Sequence, residues 1–172
     1  MPIVRLNHAV LFVRDVAASV AFYTNVLGFR KVDMTPDGLG SAVFLQAPGS
    51  TNDHDLGLFE IGAAAGPSAA GRATVGLYHL AWEVETLADL KELSGKLAAH
   101  GSLVGTSDHG TTKSLYASDP DGLELEVAWI VPADLQDDAA REARKTIGRL
   151  DLNYEIERYG ADTRGGIGIS RP

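Results

Sequence analysis

The chain has no cysteine. That excludes disulfides, thiolate metal sites and a cysteine nucleophile, and leaves imidazole and carboxylate as the ligands for any bound metal. Positive charge is scarce: 15 lysines and arginines stand against 23 aspartates and glutamates, a formal net charge of −8. The shortage argues against nucleic acid, which calls for a basic face. No apolar run approaches the roughly 20 residues of a membrane span, and the N-terminus lacks a signal-peptide core. No membrane partner is expected, and a cytoplasmic location is. Aromatics are few, at 7%, so Phe12, Phe44, Phe59, Trp82 and Trp129 are each candidates for pocket or core. The rest is ordinary for a soluble protein, with 45% hydrophobic and 22% charged residues. A length of 172 residues suits one compact domain or two small halves sharing a core.

What is present is a repeated plan. One stretch opens LNHAVLFVRDV and closes HDLGLFEIG; a second opens LYHLAWEVETL and closes DGLELEVAW. His8 and His79 sit 71 residues apart at the same place in the two openings. Glu60 and Glu126 read as counterparts in the two closings. Residues 3–13 alternate as a strand, with Leu6, His8, Val10 and Phe12 on one face. Asp15 is an N-cap for a helix with a Val16, Val20, Tyr23, Leu27 stripe, ended at Gly28. A strand from Phe29, a Pro36-Asp37-Gly38 turn, and strands at 41–46 and 56–61 complete a strand-helix-strand-strand-strand order. The Gly- and Ala-rich residues 63–75 read as a linker. Thr86 then caps a helix with a Leu87, Leu90, Leu93, Leu97 stripe closing near Gly101, and strands follow at 102–105, 113–118 and 123–130.

The expected organisation is a first module at 3–62, the linker at 63–75, a second module at 76–131 and a helical tail at 133–172. In the tail, Asp134 is expected to cap a helix with Leu135, Ala139, Ala143 and Ile147 on its stripe. A second short piece carries Leu150, Leu152, Ile156 and Tyr159. The closing TRGGIGISRP is Gly-rich and expected to be loose unless held.

The duplicated unit with a histidine near the start of each half resembles the vicinal oxygen chelate superfamily, which includes glyoxalase I, extradiol ring-cleaving dioxygenases and metal-free bleomycin-resistance proteins. VRDVAASVAFYTNVLGF is similar to the group's first-helix signature and DPDGLELE to its closing-strand signature. The resemblance covers residues 3–131. It implies an α+β fold in which tandem βαβββ modules build a curved, eight-stranded mixed sheet around a metal cavity, here with a C-terminal helical extension. It also implies metal ligands at His8, His79 and Glu126. Two imidazoles and one carboxylate form a facial triad suited to non-heme iron, with coordination positions left for substrate and dioxygen.

HGTTKSLYASDPDGLELE, residues 109–126, is similar to the extradiol dioxygenase signature through His109, Leu115, Tyr116, Asp119, Pro120, Gly122 and Glu126. Ser107 and Leu123 depart mildly from it. A catechol must lose protons to chelate a metal, and cleaving an O–O bond takes a proton up; an imidazole serves as such an acid/base. His109 is assigned that role, and Tyr116 the hydrogen bond that holds substrate in register. His54 reads as a turn histidine before a strand, and His100 as a helix C-terminal residue favoured by the dipole.

Glu60 separates two readings. Bound to the metal, it makes a four-ligand set, His8, Glu60, His79 and Glu126, suited to a glyoxalase I-like isomerase or lyase on nickel, zinc or cobalt. Left off, it favours a metal-dependent extradiol-type dioxygenase that uses iron(II) or manganese(II) on a catechol-like small molecule. A non-catalytic, antibiotic-binding protein is the third class, and the intact trio argues against it. A homodimer is also expected from the resemblance.

Overall fold

The computed structural model describes residues 2–3, 5–34, 38, 40–68, 70, 73–166 and 169–170. Pro36 and Asp37 of the expected turn, and Ala69, Gly71 and Arg72 of the expected linker, lie outside them. The chain forms two compact units, Met1–Ala69 with Asp119–Gly122, and Ala70–Ser118 with Leu123–Pro172. Each carries one four-stranded mixed sheet. The fold is the α+β, tandem βαβββ arrangement.

The first unit runs β1 (Ala9–Val13), α1 (Val16–Asn25), β2 (Arg30–Val32), β3 (Ala42–Gln46) and β4 (Leu56–Glu60). The sheet order is β1-β4-β3-β2, with β1 and β4 parallel and the other pairs antiparallel. Strand alternation sends Leu11 and Val13 inward with Leu56 and Leu58, leaving Val10 and Phe12 exposed; the strand expected over 3–13 is limited to Ala9–Val13, and His8 directly precedes it. Asp15 caps α1 by accepting from Ala18 N at 3.0 Å.

The fully buried residues along α1 are Ser19, Phe22, Tyr23 and Val26; of the stripe expected from spacing Tyr23 is among them, while Val16, Val20 and Leu27 are half-buried. The two largest side chains decide it. Phe22, Tyr23 and Phe29 meet edge to face at 5.3 and 5.8 Å, and burying each aromatic contributes about 1.5–3 kcal/mol. The Tyr23 hydroxyl donates to Asp119 at 3.3 Å, and Arg14 pairs with Asp121 at 2.9 Å, so the D-P-D-G turn packs with this unit. Burial, reinforced by Asp119, pushes the Tyr23 hydroxyl well above its ordinary pKa.

The second unit runs β5 (His79–Glu83), α2 (Leu87–His100), β6 (Leu103–Asp108), β7 (Thr112–Ser118) and β8 (Glu124–Ile130). Its order, β5-β8-β7-β6, repeats the first, with β5 and β8 parallel. Thr86 and Asp89 form a reciprocal capping box at the start of α2, and Gly101 ends it in the left-handed region at φ 78°. Leu87, Leu90 and Leu97 are fully buried, as the leucine spacing requires.

The tail departs from expectation in its first piece only. In place of the helix capped by Asp134, a 3₁₀ turn at Ala133–Leu135 is followed by α3 (Asp138–Ala143), capped by Asp137; the second short piece is found as α4 (Leu152–Tyr159), capped by Asp151. Ile147 is exposed and Ala140 is buried in place of the longer stripe, while Leu150 of the second piece is buried. Two aspartates that accept from the first-turn amides Ala140, Asn153 and Tyr154 define two starts.

The described part of the Gly-rich end is held. Ala88 N donates to Ala161 O, Gly165 N to Glu85 O, and Trp129 Nε1 to Thr163 O, at 2.9, 2.9 and 3.1 Å. A Cβ at Gly165 would overlap Ile130 O, so only glycine permits this approach. Among the described residues, no helix is long and apolar enough to cross a membrane.

Candidate functional site

The two ladders of β8 assemble a polar cluster on one face of the second sheet. In the parallel pair, His79 stands beside Glu124 and Ala81 beside Glu126; in the antiparallel pair, Tyr116 stands opposite Glu126. Side chains paired across strands share a face. His79 Nε2 and Glu126 Oε2 are therefore 3.1 Å apart, and the Tyr116 hydroxyl lies 3.5 Å from Glu126 Oε1, at the outer limit of a hydrogen bond. The His79 and Tyr116 rings sit edge to face at 6.0 Å.

The polar run continues away from Glu126. The Tyr116 hydroxyl is 3.1 Å from His109 Nε2, and Ser107 Oγ is 2.8 Å from the same nitrogen. Ser107 also donates to the Tyr116 hydroxyl at 3.3 Å. His109 follows β6 directly and Tyr116 lies on β7, so the β6–β7 hairpin delivers both. Tyr116, His109, His79 and Glu126 are all half-buried, partly open to a guest and partly shielded. Four of the sequence-predicted residues are thus brought together. Ser107 was noted only as a departure from a signature, and its signal was the two-residue strand spacing from His109. Glu124, 4.0 Å from His79 Nδ1, was overlooked; alternation in ELE already placed it on the face of Glu126.

The first unit arranges a second group. The His8 Nδ1 is 2.8 Å from Asn7 Oδ1, which leaves Nε2 for another partner. His54, read from sequence as a turn residue, is buried and lies against His8 with ring centroids 4.5 Å apart. Phe44 meets His54 at 5.0 Å and Phe59 at 5.9 Å. The loop that carries His54 is pinned by Asp55, which accepts from Ser50 Oγ, Asn52 Nδ2 and Ala47 N. Asn52 also donates to Asn7 O at 2.7 Å, tying that loop to the segment holding His8.

Glu60 is not the counterpart of Glu126. With His8 matched to His79, Val10 matches Ala81; Val10 pairs with Gly57, and Ala81 with Glu126. The antiparallel ladders agree, since Gly57 opposes Phe44 as Glu126 opposes Tyr116. The place of Glu126 in the first sheet is therefore held by Gly57. An added Cβ there would lie 3.3–3.4 Å from Val10, Phe44 and Phe59, an apolar wall. Glu60 is three positions further along, on the opposite face, and its Oε2 accepts from Val16 N at the start of α1, at 3.0 Å. There it meets the positive end of the helix dipole. Among the described residues, no group of three or more histidine, aspartate or glutamate side chains stands where it could hold a metal ion.

The sequence profile of the Glyoxalase/Bleomycin resistance protein/Dioxygenase superfamily matches residues 5–127. The chain belongs to that superfamily. Within the superfamily it is 33% identical over 132 residues to a catechol-2,3-dioxygenase of Bacillus subtilis (strain 168), covering 71% of this chain and 40% of that protein. It is 26% identical over 166 residues to a manganese-dependent 2,3-dihydroxybiphenyl 1,2-dioxygenase of Geobacillus genomosp. 3, covering 94% of this chain and 46% of that one. The chain thus spans less than half the length of these two relatives. Among solved structures, a glyoxylase/bleomycin resistance protein/dioxygenase domain from Frankia sp. EAN1pec superposes with a TM-score of 0.62 at 26% identity, covering 74% of this chain and 92% of that chain.

Proposed function

We propose that this member of the superfamily is a metal-dependent, extradiol-type ring-cleaving dioxygenase acting on catechol-like small molecules. The observation that carries the reading is the hydrogen-bonded run Glu126–Tyr116–His109–Ser107 beside His79. His8, His79 and Glu126 are the residues that would hold the metal, iron(II) or manganese(II). Their donors fit. A separation of 3.1 Å between His79 Nε2 and Glu126 Oε2 is about that of two adjacent donors each ~2.1 Å from one ion. The contact of His8 Nδ1 with Asn7 Oδ1 is the outer bond that fixes a ligating imidazole with Nε2 free. When bound, the metal would supply Lewis acidity and bring a chelated catecholate together with dioxygen.

The protein's own groups handle the protons. His109, on the rim of the cluster, takes a proton from a substrate hydroxyl and returns one as the ring opens. Tyr116, between His109 and Glu126, orients the substrate oxygen and links it to the imidazole. Ser107 holds the His109 ring in one orientation. His54 lies against His8 as a second imidazole of the first unit. The four-ligand, glyoxalase-like reading loses support because Glu60 is engaged at the helix terminus and Gly57 occupies the place where a fourth ligand would come.

The test is anaerobic loading with iron(II), then a panel of catechols under oxygen. Oxygen uptake together with a yellow ring-cleaved product is expected. No product from any catechol, with thioester formed from a glutathione hemithioacetal, would overturn the proposal in favour of an isomerase.

A further inference from the structure

The tail, which lies outside the duplicated plan, converges on the hairpin that carries His109. Asp108 and Gly148 exchange both backbone hydrogen bonds, at 3.0 and 2.8 Å. Gly110, at φ +75°, lies so close to α3 that a Cβ would overlap Ala140 O. Asp108 Oδ1 accepts from Gly110 N at 2.7 Å and from Lys113 Nζ at 2.6 Å. Lys113 is fully buried, and its second partner is Glu155 of α4, 3.0 Å away and itself buried. The Lys113 ammonium also stands 5.9 Å from the centre of the Tyr159 ring.

Packing alone does not account for these charges. A buried ammonium with two carboxylates is commonly matched or exceeded in stability by apolar side chains of the same volume. What the charged trio adds is direction: it fixes where Asp108 and Lys113 stand, and these flank the His109 turn. The His109 ring depends on that placement, because its contacts with Ser107 and Tyr116 come from the two strands the turn joins.

We propose that Glu155, acting through Lys113 and Asp108, is a positioning residue for His109, and that the C-terminal tail is a clamp that sets the proton-transfer group of the site. The proposal rests on the reading of His109 as the acid/base.

The experiment uses the full-length chain carrying Glu155→Gln, His109→Gln, or both. In the metal-free protein, imidazole NMR of Glu155→Gln should show the His109 ring signals broadened or shifted, with those of His8 unmoved. In the iron-loaded protein, kcat should fall about tenfold with KM nearly unchanged, the pattern of a misplaced group rather than lost binding. Added to His109→Gln, the Glu155 substitution should change kcat by less than about twofold, because both act through one ring. If Glu155→Gln fails to fold, Lys113→Met with Glu155→Leu removes both charges while keeping volume, and the same readouts apply. Unchanged His109 signals, or an equal kcat loss in the His109→Gln background, would overturn the clamp. Unchanged turnover in His109→Gln alone would instead remove the acid/base reading, and the NMR result would still decide whether the tail fixes the ring.

Discussion

Removing Glu60 and removing Glu126 should have opposite consequences. Glu60 is exposed, and its role is to accept from Val16 N at the N-terminus of α1. Glu60→Ala deletes one acceptor and one charge near the helix dipole, and water replaces the acceptor. The expected loss is about 0.5–1 kcal/mol of stability, which corresponds to roughly 1–4 °C in Tm for a chain of this size. Metal affinity should not move. Glu126→Ala removes a carboxylate that stands 3.1 Å from His79 Nε2. Losing an outer hydrogen-bond partner of a metal ligand already costs about 10–100-fold in affinity, so loss of a ligand itself should cost at least about 100-fold, or ~2.7 kcal/mol.

Manganese(II) makes the measurement direct. Free aqueous ion gives an intense electron paramagnetic resonance signal that binding suppresses, so titration yields Kd for the wild type and both variants. Urea unfolding of the metal-free proteins supplies the stability arm. Comparable weakening of manganese binding by Glu60→Ala and Glu126→Ala would refute the register argument and restore the four-ligand set. Unchanged binding in Glu126→Ala would remove the proposed centre from this face of the sheet.

His109→Ala should keep the metal and slow turnover by about 100-fold or more, the usual contribution of a positioned acid/base; steady-state kinetics on the metal-loaded protein checks it. Gly110→Ala should be poorly tolerated, because φ +75° is strained for alanine and the new Cβ meets α3 backbone that has no rotamer to yield. A loss of more than about 2 kcal/mol in urea is expected, and a loss below 0.5 kcal/mol on that scale would contradict the close approach. Burial, slightly offset by Arg158, pushes the Tyr159 hydroxyl up to about 12. Its neutral form is thus favoured in the fold, and the associated stability is intact below the ordinary tyrosine value near 10 and is lost as pH rises from there toward 12. Tyr159→Phe should flatten that alkaline decline in urea midpoints, with Tyr23 leaving a remainder; an unchanged slope would dismiss the burial of this hydroxyl.

Most of the fold was legible because local signals and long-range pairing agreed. Asp15, Thr86 and Gly101 mark helix ends by mechanisms that act within one turn, and the structure uses them there. The leucine stripe of α2 buries as its spacing requires. The stripe of α1 does so fully only at Tyr23, because spacing treats valine and phenylalanine alike whereas packing favours the larger rings. The first tail helix differs from its spacing for a related reason. Alanines at helical intervals do not indicate which face is covered, and the partners that fix it, Trp129, Asp108 and Lys113, are distant in sequence. The glycines that suggested looseness include Gly165, whose lack of a side chain is what lets the chain pass close to β8.

The site was legible where it depended on type and illegible where it depended on register. His79, Glu126, His109 and Tyr116 could be picked out as residues with the right chemistry, and strand pairing brings them together on one face. The equation of Glu60 with Glu126 failed because counting from the end of a strand ignores which residue pairs across the ladder, and a slip by an odd number reverses the face. Corrected for register, the duplication is unequal in a chemically informative way. Val10, Gly57 and Phe44 in the first sheet stand where Ala81, Glu126 and Tyr116 stand in the second. The first triplet is apolar and tightly packed around Gly57; the second ends in a carboxylate and a phenol joined to an imidazole. A carboxylate at position 57 would stand against Phe44, Phe59 and Val10, where burial costs a charge its hydration. The two copies thus differ in chemistry at matched places: an apolar wall in the first, a carboxylate and a phenol–imidazole pair in the second.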